Sequence, residues 1–353
     1  KAILVGDPLY ALGELARFHR MRFKPLVIAI TGSSGKTTTK ELLGKSVSSI
    51  GEASLVVTER NYNNEIGLPF TIFRINEKTR IAILELGMNH PGEIARLSKI
   101  AKPDIAVITN IGSAHIENLG NLSGVAKAKL EILEGMGEGG YFFVNSDINF
   151  LKKIKFKTKS KKVKLIVARQ NNKKTLEMIK KKTTGFDLKI FGESLDWKIL
   201  GEKNLENLNL ILHVLKEIRF PEKEAVHSIK SFENPEKRFI LEKNYFSVIN
   251  DTYNANPESM FSSIDSARQL AGKEKLFAVL GDMKELGKFS KKYHADVGKF
   301  CLDKNIDGLI TFGLDSEVIS NEFQKGKKRD FTIHFKDENI SIDKIILYLK
   351  NQV

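Results

Sequence analysis

The chain has 353 residues, 41% of them hydrophobic, and carries a formal net charge of +14. That length suits two domains with a core each, and the hydrophobic share excludes global disorder. No apolar run approaches the roughly 18 residues that span a bilayer, the first residues lack a basic segment followed by an apolar one, and Cys301, the single cysteine, excludes an internal disulfide and a cysteine metal centre.

These features predict a cytoplasmic protein with no stable membrane insertion. Residues 2–5 and a helix-like stretch at 9–19 come first. Residues 26–30 read as a buried strand, and residues 40–43 can open a helix. Strands follow at 81–86, 105–109 and 141–144, with helices at 91–101, proline at its start, and at 125–136. Residues 150–200 are less regular and read as short strands and loops of an insertion. A helix is expected at 204–218, and the pattern restarts near Asn234-Pro235. Strands at 246–249, 275–280 and 307–312 then alternate with helices at 257–270 and 291–304. Apolar strands separated by helices imply a parallel sheet covered on both faces. The fold class is therefore α/β: a central P-loop parallel-sheet ATPase domain, residues 24–234, and a smaller Rossmann-like α/β C-terminal domain, residues 235–353.

Between the first strand and its helix lies Gly32-Ser33-Ser34-Gly35-Lys36-Thr37-Thr38. Strand, glycine-bearing turn and helix bring backbone N–H groups and a helix N-terminus together on phosphate. Lys36 adds positive charge there, and the Thr37 hydroxyl can ligate Mg²⁺. The first glycine of the usual Walker spacing is replaced by Ile30, so the match is to a shorter Gly-x-x-Gly-Lys-Thr turn. A chance turn is the competing reading, and the element order favours a nucleoside triphosphate. In open α/β sheets ligands sit beyond the carboxyl ends of strands. Residues 32–37, Glu85 and His115 all fall there, which predicts one shared cleft. The lysines between Lys152 and Lys182 admit a nucleic-acid surface, but no stacking aromatics interleave them. A solvated face that attracts anionic substrates is the preferred reading.

Several segments match one family together. They are residues 28–41, Asn61-Tyr62-Asn63-Asn64-Glu65-Ile66-Gly67-Leu68-Pro69, Glu85-Leu86-Gly87-Met88-Asn89, residues 110–117 and Ala126-Lys127-Ala128-Lys129-Leu130-Glu131. The second half adds Asp251-Thr252-Tyr253-Asn254-Ala255-Asn256-Pro257 and Leu280-Gly281-Asp282-Met283-Lys284-Glu285-Leu286-Gly287. The chain resembles the Mur ligases, and within them the branch that adds D-alanyl-D-alanine to UDP-N-acetylmuramoyl-tripeptide. The resemblance implies that the tripeptide carboxylate attacks the γ-phosphate of ATP to give an acyl phosphate, which the dipeptide amine then displaces. It implies ATP and Mg²⁺ as cofactors, UDP-muramoyl-tripeptide and D-alanyl-D-alanine as partners, no nucleic acid, and a monomer. It also makes residues 1–23 the remnant of an N-terminal UDP-sugar-binding domain, so the chain as written is expected to bind ATP and to ligate poorly.

By the same resemblance, Lys36, His115 and Lys129 are catalytic, Lys129 as a lysine carbamylated by CO₂. Thr37, Glu85, His115 and the carbamate of Lys129 would hold metal. Gly32 to Thr38, Asn204, Asn207, Arg238 and Asp251 would bind ATP, and Asn64, Asn254 and Asn256 would face the other substrates. Plainer readings stand beside these. Glu85 could be a solvated strand-end acid, His115 a loop histidine, Lys129 a surface lysine, Asn204 a helix cap, and Asn254 and Asn256 turn residues before a helix. Rival functions are a Mur or folylpolyglutamate-type ligase with another substrate, an ATP-binding module without ligase activity, and a nucleic-acid-dependent NTPase. The block Tyr253 to Pro257 speaks against the first rival.

Overall fold

The computed structural model describes residues 3–146, 148, 150–169, 172–243, 247–326, 331–336, 345–347 and 350. Helix α1 (Pro8–Arg22) precedes strand β1 (Leu26–Thr31), and helix α2 (Lys36–Ser46) follows it. Next come β2 (Leu55–Val57), α3 (Gly67–Phe73), β3 (Ile81–Glu85), α4 (Glu93–Ala101) and β4 (Ile105–Ile108). A one-turn α5 (Ile116–Leu119), α6 (Leu122–Lys129), β5 (Tyr141–Asn145), α7 (Leu151–Ser160) and β6 (Lys164–Ala168) continue the alternation. Then β7 (Leu176–Lys182), β8 (Gly185–Ile190), β9 (Glu193–Trp197), α8 (Glu202–Glu217) and α9 (Glu222–Ile229) complete this stretch. The remainder holds β10 (Ile240–Lys243), β11 (Ser247–Asn250), α10 (Pro257–Ala271), β12 (Phe277–Gly281), α11 (Ser290–Asp303), β13 (Gly308–Phe312), α12 (Glu317–Gln324) and β14 (Thr332–Phe335).

Two compact units emerge, one made of Lys1–Gly112, Asn118–Lys181 and Phe186–Pro235, the other of Ser113–Glu117, Lys182–Gly185 and Glu236–Val353. The first is built on a six-stranded sheet in the order β2-β3-β1-β4-β5-β6. All of its pairings are parallel. Strands β3 and β4 are buried throughout, as their unbroken apolar runs require when helices cover both faces. One face packs Ile28, Ile30, Ile83, Val107 and Phe143 with Leu42 and Leu43 of α2 and Leu208 and Ile211 of α8. A three-stranded sheet β7-β8-β9 adds Phe186 and Trp197 to the same core. The second unit carries a parallel sheet in the order β12-β13-β14 and an antiparallel β10–β11 hairpin.

The strands sit within a residue or two of their expected positions, and the helices depart in instructive ways. Helix α2 begins at Lys36, inside the phosphate motif rather than near residue 40. Helix α4 begins at Glu93 behind Gly92, whose φ of 89° breaks the helix, so Pro91 lies outside it. The Glu131 carboxylate accepts from the N–H groups of Gly92 and Ala95 at 2.9 and 3.2 Å and supplies the cap that Gly92 lacks. The helix expected at 125–136 begins earlier, at Leu122, and tightens to a 3-10 turn over Leu130–Gly135. Buried Ser98 of α4 causes this: its hydroxyl donates to the Ile132 carbonyl at 2.5 Å and accepts from Gly135 N–H at 3.1 Å. Residues 150–200 are more regular than expected, with a helix and a sixth sheet strand. The lysine-rich α7 buries Ile154 and Thr158, four residues apart on one face. Phe246, expected in a strand, lies outside the described residues, as does Ala2. Among the described residues no helix is long and apolar enough to cross a membrane.

Candidate nucleotide and metal site

Strand β1 ends in the glycine turn, and the loop after β4 holds that turn from behind. Ser34 N–H donates to Asn110 Oδ1 at 2.9 Å, and Asn110 Nδ2 returns a bond to Ser34 Oγ at 2.7 Å. Thr109 Oγ1 donates to the Ser34 carbonyl at 2.6 Å. Ser33 Oγ donates to the Gly112 carbonyl at 3.1 Å and accepts from Gly112 N–H at 2.9 Å. A side chain at residue 32 would meet this brace, since a Cβ on Gly32 would lie 1.8 Å from Thr109 Oγ1. Gly35 has φ 76°, a left-handed conformation, and its missing Cβ would stand 2.8 Å from Asn207 Nδ2. The turn therefore leads into the N-terminus of α2, where unpaired N–H groups favour an anion. Lys36 Nζ donates to the Gly32 carbonyl at 2.9 Å, which places its charge over the loop. Thr37 and Thr38 occupy the first turn of α2.

Buried Asn207 thus lies directly against the loop. Asn204 stands one turn earlier on α8, and its Nδ2 donates to the Leu200 carbonyl at 2.7 Å. The helix is capped at Gly201, so Asn204 is not its N-cap.

Glu85 ends β3 and pairs in register with Ile30, two residues before Gly32 opens the phosphate turn. It is 2% exposed, which rules out the solvated strand-end reading. Its N–H donates to Thr58 Oγ1 at 3.0 Å, and Oε1 accepts from Asn63 Nδ2 at 2.8 Å. Oε2 is buried without a hydrogen-bond partner. Lys40, 0% exposed, places Nζ 4.0 Å from Oε2 while donating to the Thr58 carbonyl at 2.6 Å and pairing with Glu41 at 2.8 Å. A buried carboxylate oxygen with an unfilled bonding direction is the donor a hard cation needs. These residues fit Mg²⁺. Among the described residues no group of three or more His, Cys, Asp or Glu could hold a metal ion. Lys129, at the end of α6, is 1% exposed, so it is no surface lysine.

The remaining expected residues, Asn64 excepted, belong to the second unit. His115 has φ 60° and places Nδ1 2.5 Å from Glu285 Oε2. The Arg238 guanidinium stacks 4.0 Å over the Tyr253 ring. Asp251 Oδ1 accepts from Phe239 N–H at 3.1 Å. Burial pushes its carboxyl above the ordinary range, against the opposing hydrogen bonds and the Arg238 charge. Asn254 Oδ1 accepts from Ala255 N–H at 2.8 Å. Asn256 caps α10 in a reciprocal box with Ser259, so its oxygen has the structural task that the plainer reading gave it. In the first unit, Asn64 Oδ1 accepts from the N–H groups of Ile66 and Gly67 at 3.2 and 2.9 Å, at the start of α3. Its neighbour Asn63, which sequence reasoning did not single out, is the one that reaches Glu85. Lys40, Thr58, Thr109 and Asn110 were also missed. For Asn110 the signal was its place at the end of a buried strand.

Residues 30–215 match the Mur ligase middle domain, and residues 237–352 match the Mur ligase, glutamate ligase domain. The chain belongs to the Mur ligase family. The UDP-N-acetylmuramoyl-tripeptide–D-alanyl-D-alanine ligase of Bacillus subtilis is 33% identical over 95% of this chain and 73% of its own length. A crystal structure of MurF from Acinetobacter baumannii superposes with a TM-score of 0.86 at 27% identity, over 99% of this chain and 76% of that one. The MurF ligase of Thermotoga maritima, solved in complex with ADP, gives a TM-score of 0.84 at 28% identity, over 99% and 79%. The α/β architecture expected from the apolar strands is the family's own.

Proposed function

We propose that this Mur ligase joins D-alanyl-D-alanine to UDP-N-acetylmuramoyl-tripeptide, with ATP converted to ADP and phosphate, in the cytoplasmic synthesis of peptidoglycan precursors. The observation that carries this reading is a braced phosphate turn beside a buried carboxylate with one unfilled oxygen, in a chain a third identical to a ligase of that name. The tripeptide carboxylate and the γ-phosphate are both anions, so the first step needs positive charge held between them. Lys36 supplies one charge from the loop, and the α2 N-terminus adds its dipole. Thr37 and Glu85 would hold Mg²⁺, which polarises the phosphoryl oxygens when bound. Asn207, packed against Gly35 of the loop, is assigned to ATP with Asn204, Arg238 and Asp251 on the family likeness. His115 is assigned to a second metal, and Asn64, Asn254 and Asn256 to the other substrates.

Buried Lys129 is assigned as a carbamate. An ammonium there would repel a cation, whereas a carbamate offers an anionic oxygen. Labelled bicarbonate should give a carbamate carbon resonance that Lys129→Arg lacks, and no such resonance in the wild type would refute the assignment. The ligase reading is tested by phosphate release with UDP-muramoyl-tripeptide, with and without D-alanyl-D-alanine. Release that requires the tripeptide and is sustained by the dipeptide is expected. Release indifferent to both would refute it.

A further inference from the structure

Glu85 has two carboxylate oxygens, and the protein treats them differently. Oε1 is held by Asn63 Nδ2 at 2.8 Å, while Oε2 is buried with no hydrogen-bond partner. The main chain on both sides is fixed: Glu85 N–H donates to Thr58 Oγ1 at 3.0 Å, and Leu86 N–H to the Ile30 carbonyl at 2.8 Å. Asn63 is itself fixed, because Gly87 N–H donates to its carbonyl at 2.8 Å. Its side chain also fills the space that a Cβ on Gly87 would occupy, with Oδ1 2.7 Å and Nδ2 3.0 Å from that point. Glycine at position 87 is what lets the Asn63 amide reach the carboxylate.

We propose that Asn63 is a positioning residue that sets the metal preference of this site. By holding Oε1 it leaves Oε2, which faces Lys40 Nζ at 4.0 Å, as the oxygen more open to a cation. A one-oxygen carboxylate suits Mg²⁺, which takes near-octahedral geometry at short distance, whereas Ca²⁺ readily accepts a carboxylate through both oxygens at longer distance. Binding through both oxygens has to share Oε1 with the Asn63 amide or displace it. Asn63 therefore disfavours Ca²⁺ more than it disfavours Mg²⁺. The inference rests on the reading of Glu85 as a metal ligand.

The test uses Mn²⁺ bound to the full chain with ATP, followed by electron paramagnetic resonance and displaced by Mg²⁺ or by Ca²⁺. Asn63→Ala removes the bond directly, and Gly87→Ala pushes the Asn63 side chain away with its amide intact. Both are expected to shift the ratio of displacing concentrations towards Ca²⁺ by roughly tenfold or more, the worth of one hydrogen bond to a charged group. A role confined to folding would weaken both cations alike, so an unchanged ratio in the two variants overturns the proposal. Glu85→Gln that holds Mn²⁺ as tightly as the wild type overturns the ligand reading, and this inference with it.

Discussion

Gly35 shows how little freedom the phosphate turn has. Its φ of 76° disfavours any side chain, and Asn207 Nδ2 already stands 2.8 Å from where a Cβ would go. Gly35→Ala should therefore lose ATP affinity by at least tenfold, from about 1–2 kcal/mol of backbone strain plus displacement of Asn207. Titration with a fluorescent ATP analogue measures this. Asp251 gives a prediction in pH. Burial raises its folded pKa, so the folded state binds its proton more tightly than the unfolded state does. Its contribution to stability is thus full below the unfolded pKa and is lost as pH rises through the folded one. Asp251→Asn keeps an oxygen for Phe239 N–H, so the variant should be at least as stable as the wild type at neutral pH. That advantage should shrink as pH falls through the carboxylate range, read from urea unfolding across pH. Single residues were legible where chemistry and position coincide, as at Lys36 and Glu85. Lys40 and Asn63 were not, because a lysine on a helix and an asparagine in a polar loop give no sign in sequence of which will be buried against a carboxylate.

Among the elements, α4 and the 3-10 turn after α6 are the clearest case of tertiary structure overriding local preference. The Ser98 hydroxyl serves the Ile132 carbonyl and the Gly135 N–H at once, and all of it is buried. Ser98→Ala should destabilise the fold by about 1–3 kcal/mol, because two backbone groups lose their partner away from water. A denaturation midpoint lowered with an unchanged slope would record it. The strands were readable because fully buried parallel strands are continuous apolar runs. Helix α7 was not, since seven of its ten residues, five of them lysines, are polar and leave only a thin apolar stripe. Several of these lysines face solvent, and Lys157 and Lys161 pair with Glu134 instead.

For the molecule as a whole, two units with separate sheets predict two unfolding transitions in calorimetry. ATP with Mg²⁺ should raise the transition of the first unit, by about 2.7 kcal/mol of stabilisation at a hundredfold excess over Kd. A shift of the second transition as well would support the assignments of Arg238 and Asp251, and a first transition blind to ATP would contradict those of the phosphate turn. The brace behind that turn has a consequence for how nucleotide arrives. Asn110, Thr109 and Gly112 fix the curvature of residues 32–34 through hydrogen bonds of side chains and main chain. On the proposed nucleotide reading, an incoming triphosphate meets a receptor already in shape and surrenders little disorder in docking. Amide protons of the turn should accordingly resist deuterium even when the protein is alone in buffer.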